Sequence, residues 1–119
     1  MPSTLHAGMA AGRWFGLSLM EQLGNIGSEV GRAAEAWRQG NAERKVKALE
    51  RAFELLDLTL SDSRWRGGRL REICRSREVC VDTFYGHQEY QTTPEDLEKY
   101  FYHFAAAARN KIYRDSVCL

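Results

Sequence analysis

Apolar residues recur at intervals of three and four along most of this 119-residue chain. That spacing places them on one face of an α-helix, because a helix turns by about 100° per residue. No stretch of useful length alternates with the period of a strand. The pattern predicts an all-α protein, an antiparallel four-helix bundle. The predicted helices lie at about 20–39, 42–60, 69–85 and 94–111.

The breaks between these stretches carry residues that end or begin helices. Gly40-Asn41 predicts a tight turn, because glycine ends helices well and asparagine caps the next one. Residues 61–63 and 67–68 separate the second helix from the third. Thr93-Pro94, followed by two acidic residues, predicts the start of the fourth helix. Short connections of this kind favour antiparallel neighbours.

A line of small residues accompanies the apolar stripe of the first helix. Gly24, Gly27 and Gly31 are three and four residues apart, although a glycine costs up to about 1 kcal/mol in a helix interior. The arrangement favours the close approach of a neighbouring helix, and a ligand groove lined by backbone is the alternative. A nucleotide-binding loop is excluded, since no strand precedes these glycines and no Gly-Lys-Ser/Thr ending follows them.

The first nineteen residues do not continue the helical pattern. Residues 1–19 contain no Asp or Glu, and their apolar patch from Trp14 to Leu19 is short for the core of a signal peptide. We expect a flexible N-terminal tail or a start-site extension upstream of Met20. A poor targeting peptide and a short packing arm are the alternatives. With residues 115–119 expected to fray, the bundle itself is predicted to span 20–114.

The composition is typical of a single folded domain. Apolar residues make up 44% and charged residues 28% of the chain, and the net charge of +1 says little about partners. Cys74, Cys80 and Cys118 lack the spacing of a disulfide framework, which favours free thiols in a reducing cytoplasm. No apolar run approaches the roughly 18 to 20 residues of a membrane-spanning helix.

Positive charge is concentrated just before and along the third helix. Residues 64–78 contain six arginines and two glutamates, with Trp65 among them. Arginine suits bidentate contact with phosphates, and aromatic rings can stack on bases. We expect a surface that binds RNA or DNA, and a solvated helix face is the alternative. The residues of this surface are Arg64, Arg66, Arg69, Arg71 and Arg75.

One further arginine falls on the apolar stripe of the third helix. Arg77 lies between Ile73 and Cys80, and a lone buried charge costs several kcal/mol. We therefore expect a carboxylate partner on another helix, from Glu29, Glu54 or Asp57. The alternative is a polar pocket lined by Arg77, Asp82, Tyr85 and Tyr100.

The sequence lacks the residue patterns that most catalytic sites need. The histidines His6, His87 and His103 are scattered, and no helix carries the Glu-x-x-His pairs of di-iron bundles, so we expect no metal and no cofactor. Cys74 and Cys80 lie on a core-facing helix, where cysteine usually acts as a small hydrophobe. HEPN ribonucleases are similar in size and helical build, but the arginine of their Arg/His motif is absent before each histidine of the bundle. We expect a non-enzymatic protein, with a HEPN-like ribonuclease as the last alternative.

Several short segments of the sequence resemble those of a family of small uncharacterised bacterial and archaeal helical proteins. They are residues 25–30, 52–59 and 77–86, followed by Tyr100-Phe101-Tyr102. The similarity covers about Met20 to Asn110 and implies no particular activity. The build is also loosely similar to the Avd and ribosomal-RNA-intervening-sequence four-helix proteins, whose own motifs are not found here. That similarity implies an oligomer that presents a basic surface to nucleic acid.

Together these patterns predict a small interaction module that forms a homo-oligomer and binds RNA or DNA through its arginines. A protein–protein adaptor or antitoxin-like partner is the alternative. It would use the surface of Gly24, Gly27 and Gly31 or the tyrosine-rich end of the chain. No membrane association is expected.

Overall fold

The structure, a computed structural model, describes residues 12–86 and 89–117. Within these residues the chain forms four α-helices and no strand, which confirms the predicted all-α bundle. A short 3-10 turn at Trp14–Gly16 precedes the first helix. The helices are α1 (Leu19–Arg38), α2 (Ala42–Leu60), α3 (Gly68–Phe84) and α4 (Pro94–Val117). Residues 115–117, expected to fray, belong to α4, and residues 118–119 lie outside the described ones.

Local hydrogen bonds explain where the helices begin. Ser18 and Glu21 form a reciprocal capping box at the start of α1, in which the side chain of each accepts the backbone N–H of the other. The nitrogen-to-oxygen distances are 3.0 and 3.1 Å. Gly40 adopts a left-handed φ of +69°, and the side chain of Asn41 then accepts the N–H of Arg44 at 3.1 Å. The turn predicted at Gly40-Asn41 is therefore confirmed.

The first helix lies at the centre of the packing. It packs extensively against α2 and α4, while α3 makes smaller contacts with the same two helices and lies diagonally opposite α1. Contacts between neighbouring helices run in opposite directions along the two helices, so the neighbours are antiparallel. Position 22 lies against 62 and position 29 against 51, position 57 lies against 77 and position 53 against 85, and position 24 lies against 105 and position 31 against 98. Large side chains at the centre are fully buried: Leu23, Ile26, Leu49, Leu56, Ile73, Leu97 and Phe101. No helix among the described residues has the length and apolar character needed to cross a membrane.

The glycines of α1 allow α4 to approach closely. A Cβ atom added at Gly27 would lie 2.5 Å from Cβ of Phe101, and one added at Gly24 would lie 3.0 Å from Cα of Ala105. At Gly31 the nearest atom is a side-chain carbon of Glu98 at 3.7 Å, an ordinary contact. The close helix approach predicted from the glycine spacing is therefore present at two of the three positions.

This difference predicts opposite effects for one substitution at two sites. Gly27→Ala is expected to destabilise the protein by about 1 to 3 kcal/mol, because the new methyl group overlaps Phe101. Gly31→Ala is expected to stabilise it by up to about 1 kcal/mol, because alanine is the better helix former and has room. Urea unfolding followed by circular dichroism measures both. Equal effects at the two positions would contradict the packing described here.

The segment before α1 is part of the fold from Trp14 onward. The side chain of Trp14 is fully buried and joins the same core cluster as Leu23 and Leu56, with Leu17 and Leu19 packed against it. From Trp14 to Leu19 these contacts are those of the short packing arm that was the alternative, and the start-site extension stays a prediction. Residues 1–11 lie outside the described ones.

Candidate nucleic-acid interface

The basic loop before α3 is held in place by a buried glutamine of α1. The amide of Gln22 is completely buried. Its Nε2 atom donates to the carbonyl oxygen of Trp14 at 3.0 Å and to Oδ2 of Asp62 at 3.2 Å, and its Oε1 atom accepts the indole N–H of Trp65 at 2.8 Å. Both N–H groups and the oxygen are therefore satisfied, as burial requires. One side chain ties the N-terminal segment to the loop that carries the first arginines.

The side chain of Arg64 is held by hydrogen bonds at this same loop. Its guanidinium donates to both carboxylate oxygens of Asp62, the shortest distance being 2.7 Å, and to the carbonyl oxygen of Leu17 at 2.7 Å. It also lies over the ring of Trp65, 4.5 Å from the centroid. The guanidinium of Arg64 lowers the pKa of Asp62 from 3.8 to about 2. Arg64, predicted to contact nucleic acid, therefore has an intramolecular structural role.

The other four predicted arginines are exposed. Arg66 makes one hydrogen bond, to the carbonyl oxygen of Ser63 at 3.3 Å. Arg69, Arg71 and Arg75 form no hydrogen bond or ion pair with any described residue. Arg71 and Arg75 are one helical turn apart and share the outer face of α3. We call Arg66, Arg69, Arg71 and Arg75 the arginine surface.

The arginine surface surrounds a helix start that favours anions. Gly67 precedes α3 and offers no side-chain cap, and the first turn contains no acidic residue. By contrast, side chains of Ser18, Asn41 and Thr93 cap the other three helices. The N-terminal end of a helix carries a partial positive charge from its aligned peptide dipoles. Charge on this end of α3 is therefore positive from both the backbone and the side chains.

Arg77 pairs with one of its three predicted partners, but near the surface. Its Nε atom donates to Oδ1 of Asp57 at 2.9 Å, and both side chains are substantially exposed, at 39% and 59%. The guanidinium of Arg77 lies 5.4 Å from the ring centroid of Phe53. The aliphatic part of the Arg77 side chain therefore covers the core, and the charged group stays near the surface. Glu29, another predicted partner, pairs with Arg51 at 2.7 Å and with Arg32.

The remaining residues of the predicted polar pocket do not meet. Asp82 accepts the backbone N–H groups of Glu89 and Tyr90 at 2.8 and 3.1 Å, which fixes the connection to α4. Tyr85 is 56% exposed and packs near Phe53. Tyr100 is bonded elsewhere. Arg77 and Tyr85 therefore share a contact with Phe53, whereas Asp82 and Tyr100 have separate partners.

Tyr100 joins α4 to α3 through a polar contact. Its hydroxyl donates to Glu72 and lies 2.9 Å from the hydroxyl of Ser76. Burial, together with the hydrogen bond to Glu72, raises the pKa of Tyr100. A small cavity of about 220 Å³ adjoins Tyr100, Arg75 and Thr92 but none of Arg77, Asp82 and Tyr85. The hydroxyl is thus held neutral in a helix–helix contact.

Cys80 and the acidic and histidine side chains are the described residues that bear on nucleophilic and metal chemistry. Burial raises the pKa of the Cys80 thiol to about 12, so that thiol stays protonated at neutral pH. No group of three or more His, Cys, Asp or Glu side chains within the described ranges is placed to hold a metal ion. His103 is exposed, whereas His6 and His87 lie outside those ranges.

A second surface feature lies between α1 and α4. An open groove of about 620 Å³ runs along the glycines of α1. Its α4 side is formed by Glu95, Glu98, Lys99, Phe101, Tyr102, Ala105 and Arg109. The glycine spacing was interpreted either as a site of close helix approach or as a groove lined by backbone. Both features occur here, because α4 approaches α1 closely and an open groove lies beside the contact. We call this feature the α1/α4 groove.

The sequence patterns missed the network that supports the arginine surface. Trp14 and Thr59 are 45 residues apart, yet the indole N–H of Trp14 donates to Oγ1 of Thr59 at 3.1 Å. Gln22 adjoins Leu23 of the apolar stripe. A glutamine at the edge of a helix's apolar face was the one signal in the sequence that could have indicated a buried polar contact. Nothing in the spacing identifies Asp62 and Trp65 as its partners.

Comparison with known proteins supplies no relative from which a function can be carried over. No family model, curated protein or solved structure matches the chain. The predicted resemblance to small helical families thus stays a prediction.

Proposed function

We propose that this protein is a non-enzymatic helical module that binds RNA or DNA through the arginine surface. The observation that carries the proposal is the set of exposed arginines at the start of α3 that have no carboxylate partner among the described residues. Elsewhere in the bundle, arginines such as Arg38, Arg51 and Arg77 are paired with acids. Unpaired cations in one place offer several phosphate contacts at once.

The placement of these cations is unfavourable for the isolated protein, which supports a binding role. Arg69 and Arg71 lie in the first turns of α3, where the helix dipole disfavours positive charge. Arg71 and Arg75 form a like-charged pair four residues apart, which costs a few tenths of a kcal/mol. A bound phosphate backbone would relieve both repulsions. Local conflicts of this kind are expected at functional positions.

The surroundings of Trp65 suggest that the phosphate backbone is recognised more than the bases. Trp65 uses its indole N–H on Gln22, and the guanidinium of Arg64 covers a face of its ring. Base stacking on that face would require displacement of Arg64 from Asp62. Four arginines acting on phosphates predict a salt dependence with a slope of about −3 to −4 for duplex DNA, and little preference among sequences.

Charge reversal on the outer face of α3 tests the proposal. Arg71→Glu/Arg75→Glu is expected to weaken binding to a short RNA and a short DNA duplex by at least about tenfold at low salt, and to reduce the salt slope by about two. Fluorescence anisotropy across a salt titration measures both. The matched control is Arg44→Glu/Lys47→Glu on the exposed face of α2, which makes the same change in net charge. Absence of binding by the unaltered protein at about 50 mM salt, or an equal loss in the control, would refute the proposal.

The cysteines support a place for this module in a reducing compartment such as the bacterial cytoplasm. Cys74 is exposed and Cys80 is buried, and both thiols are free. Exposed free thiols persist where disulfides are kept reduced.

A protein–protein adaptor or antitoxin-like partner is the second candidate function. Exposed aromatic side chains favour it, since such residues are enriched in protein interfaces. Trp37, Tyr85 and Tyr102 are 46%, 56% and 61% exposed. Native mass spectrometry of the protein from its own host, before and after nuclease treatment, separates the candidates. A stoichiometric protein that survives nuclease treatment supports the adaptor, whereas loss of mass supports nucleic-acid binding.

A further inference from the structure

We propose that the α1/α4 groove is the interface of a two-fold symmetric dimer, in which α4 of one copy lies antiparallel to α4 of the other. The proposal is independent of nucleic-acid binding. It rests on the spacing, exposure and charge of residues on α4, which together make this face complementary to itself.

The spacing of the groove residues on α4 suits helix pairing. Five of the seven α4 residues that line the groove follow one another at intervals of three and four: Glu95, Glu98, Tyr102, Ala105 and Arg109. Such a repeat keeps one seam of a helix facing a partner helix over several turns. Glu98 and Ala105 already face α1 across Gly31 and Gly24, and Tyr102 is 61% exposed beside them. The seam thus reaches beyond the contact with α1 and is open to another chain.

The two ends of the seam are symmetric in sequence position about Tyr102. Glu95 and Arg109 each lie seven residues from Tyr102, which is two helical turns. When two copies of α4 pair in antiparallel orientation about Tyr102, Glu95 of each copy comes opposite Arg109 of the other. An isologous interface requires this reciprocity, in which residue i meets j and j meets i.

The charges at the two ends of the seam are unbalanced in opposite directions. Glu35, Glu95 and Glu98 share one cation, Arg38, at 2.6, 3.2 and 3.7 Å, and Lys99 also lines the groove there. Three carboxylates therefore face two cations, which leaves an acidic surplus at that end. Arg109 has no carboxylate partner among the described side chains, and its guanidinium lies 5.8 Å from the ring centroid of Tyr102. A second copy supplies the missing charge at both ends.

The open groove provides the space that the partner's side chains need. Its volume is about 620 Å³, and its lining includes Gly31, where an added Cβ would meet only ordinary contacts, and the small, exposed Ser28. With the two-fold axis near Tyr102, the partner's tyrosine ring enters this volume. A second copy is favoured over an unrelated protein because one surface supplies both the acidic and the basic half of the contact. Since α3 lies diagonally opposite α1, the arginine surface remains accessible in such a dimer.

A charge-swap experiment on the full chain tests the dimer. Arg109→Glu and Glu95→Arg, each alone, are expected to weaken dimerisation by about tenfold or more, because each variant brings like charges together at both ends of the seam. An equimolar mixture of the two variants is expected to restore the dimer as a heterodimer, because unlike charges then meet at both ends. Native mass spectrometry distinguishes the heterodimer by its mass, and sedimentation over about a hundredfold range of concentration gives the dissociation constants.

Matched variants on α2 serve as controls. Glu43 is, like Glu95, the second residue of its helix, and Lys47 is exposed one turn later. Glu43→Arg and Lys47→Glu are expected to leave dimerisation unchanged, and circular dichroism checks that every variant is folded. An unaltered protein that is monomeric throughout, a dimer insensitive to both seam variants, or a mixture that fails to form the heterodimer would overturn the proposal.

Discussion

Replacing Trp14 by alanine is expected to destabilise the protein by about 3 to 5 kcal/mol. Trp14 is the largest fully buried side chain, and it packs in the central cluster with Leu23 and Leu56. Its removal leaves a cavity and also deprives Thr59 of the indole N–H that it accepts at 3.1 Å. A loss of this size approaches the whole stability of many small domains. Urea unfolding followed by far-ultraviolet circular dichroism measures the change.

The neighbouring residue gives the control for this prediction. Phe15 is 37% exposed, and Phe15→Ala is expected to cost far less than Trp14→Ala. Equal and small effects at the two positions would show that the segment before α1 does not contribute to the core. That outcome would restore the interpretation of this segment as a tail.

Acidification is expected to remove about 2 kcal/mol of stability through Asp62 alone. The pKa of Asp62 is lowered from 3.8 to about 2 by Arg64, with further hydrogen bonds from the backbone of Arg64 and from Gln22. Because the folded state lowers this pKa, the carboxylate contributes its full stability above about pH 5, and the contribution is lost as pH falls towards 2. Since the side chain of Asp62 is only 3% exposed, solvent screens its contacts little, although Arg64 is 40% exposed.

The pH dependence of Asp62→Asn isolates this contribution. The variant is expected to be less stable than the unaltered protein at pH 7, and the difference is expected to narrow as pH approaches 2. Asp57→Asn is the control, because Asp57 also contacts an arginine but its side chain is 59% exposed. Urea unfolding at several pH values gives both curves. A difference that is constant with pH would contradict the assigned role of the Asp62 carboxylate.

The helices could be predicted from the sequence with good precision. The bounds of α2 agree with the prediction, and those of α1 and α3 differ by one residue at each end. The reason is that these signals are local: apolar periodicity, the Gly40-Asn41 turn, and Thr93-Pro94 at the start of α4 each act over a few residues. The end of α4 was predicted six residues early, because the sequence offers no strong stop signal there.

The candidate interface could be predicted only in part. The prediction that Arg71 and Arg75 are exposed agrees with the structure, because the period of α3 places them away from Ile73 and Cys80. The predicted surface, which was chosen by counting arginines in residues 64–78, also included Arg64. Its guanidinium is instead bonded to Asp62 and Leu17. A count of charges cannot distinguish an arginine that is free from one that is paired. That distinction depends on which carboxylate the folded chain brings within hydrogen-bond distance.

The sequence by itself determined four amphipathic helices, their order and their short antiparallel connections, because helix formation and capping depend on neighbours within a turn or two. Only the tertiary structure decided that Trp14 enters the core, that Gln22 joins Trp14 to Asp62 and Trp65, and which cations remain without acidic partners. These contacts join residues up to 45 positions apart. Their geometry is set by how α1 packs between α2 and α4, and the periodicity of a single helix carries no information about the side chains that it meets.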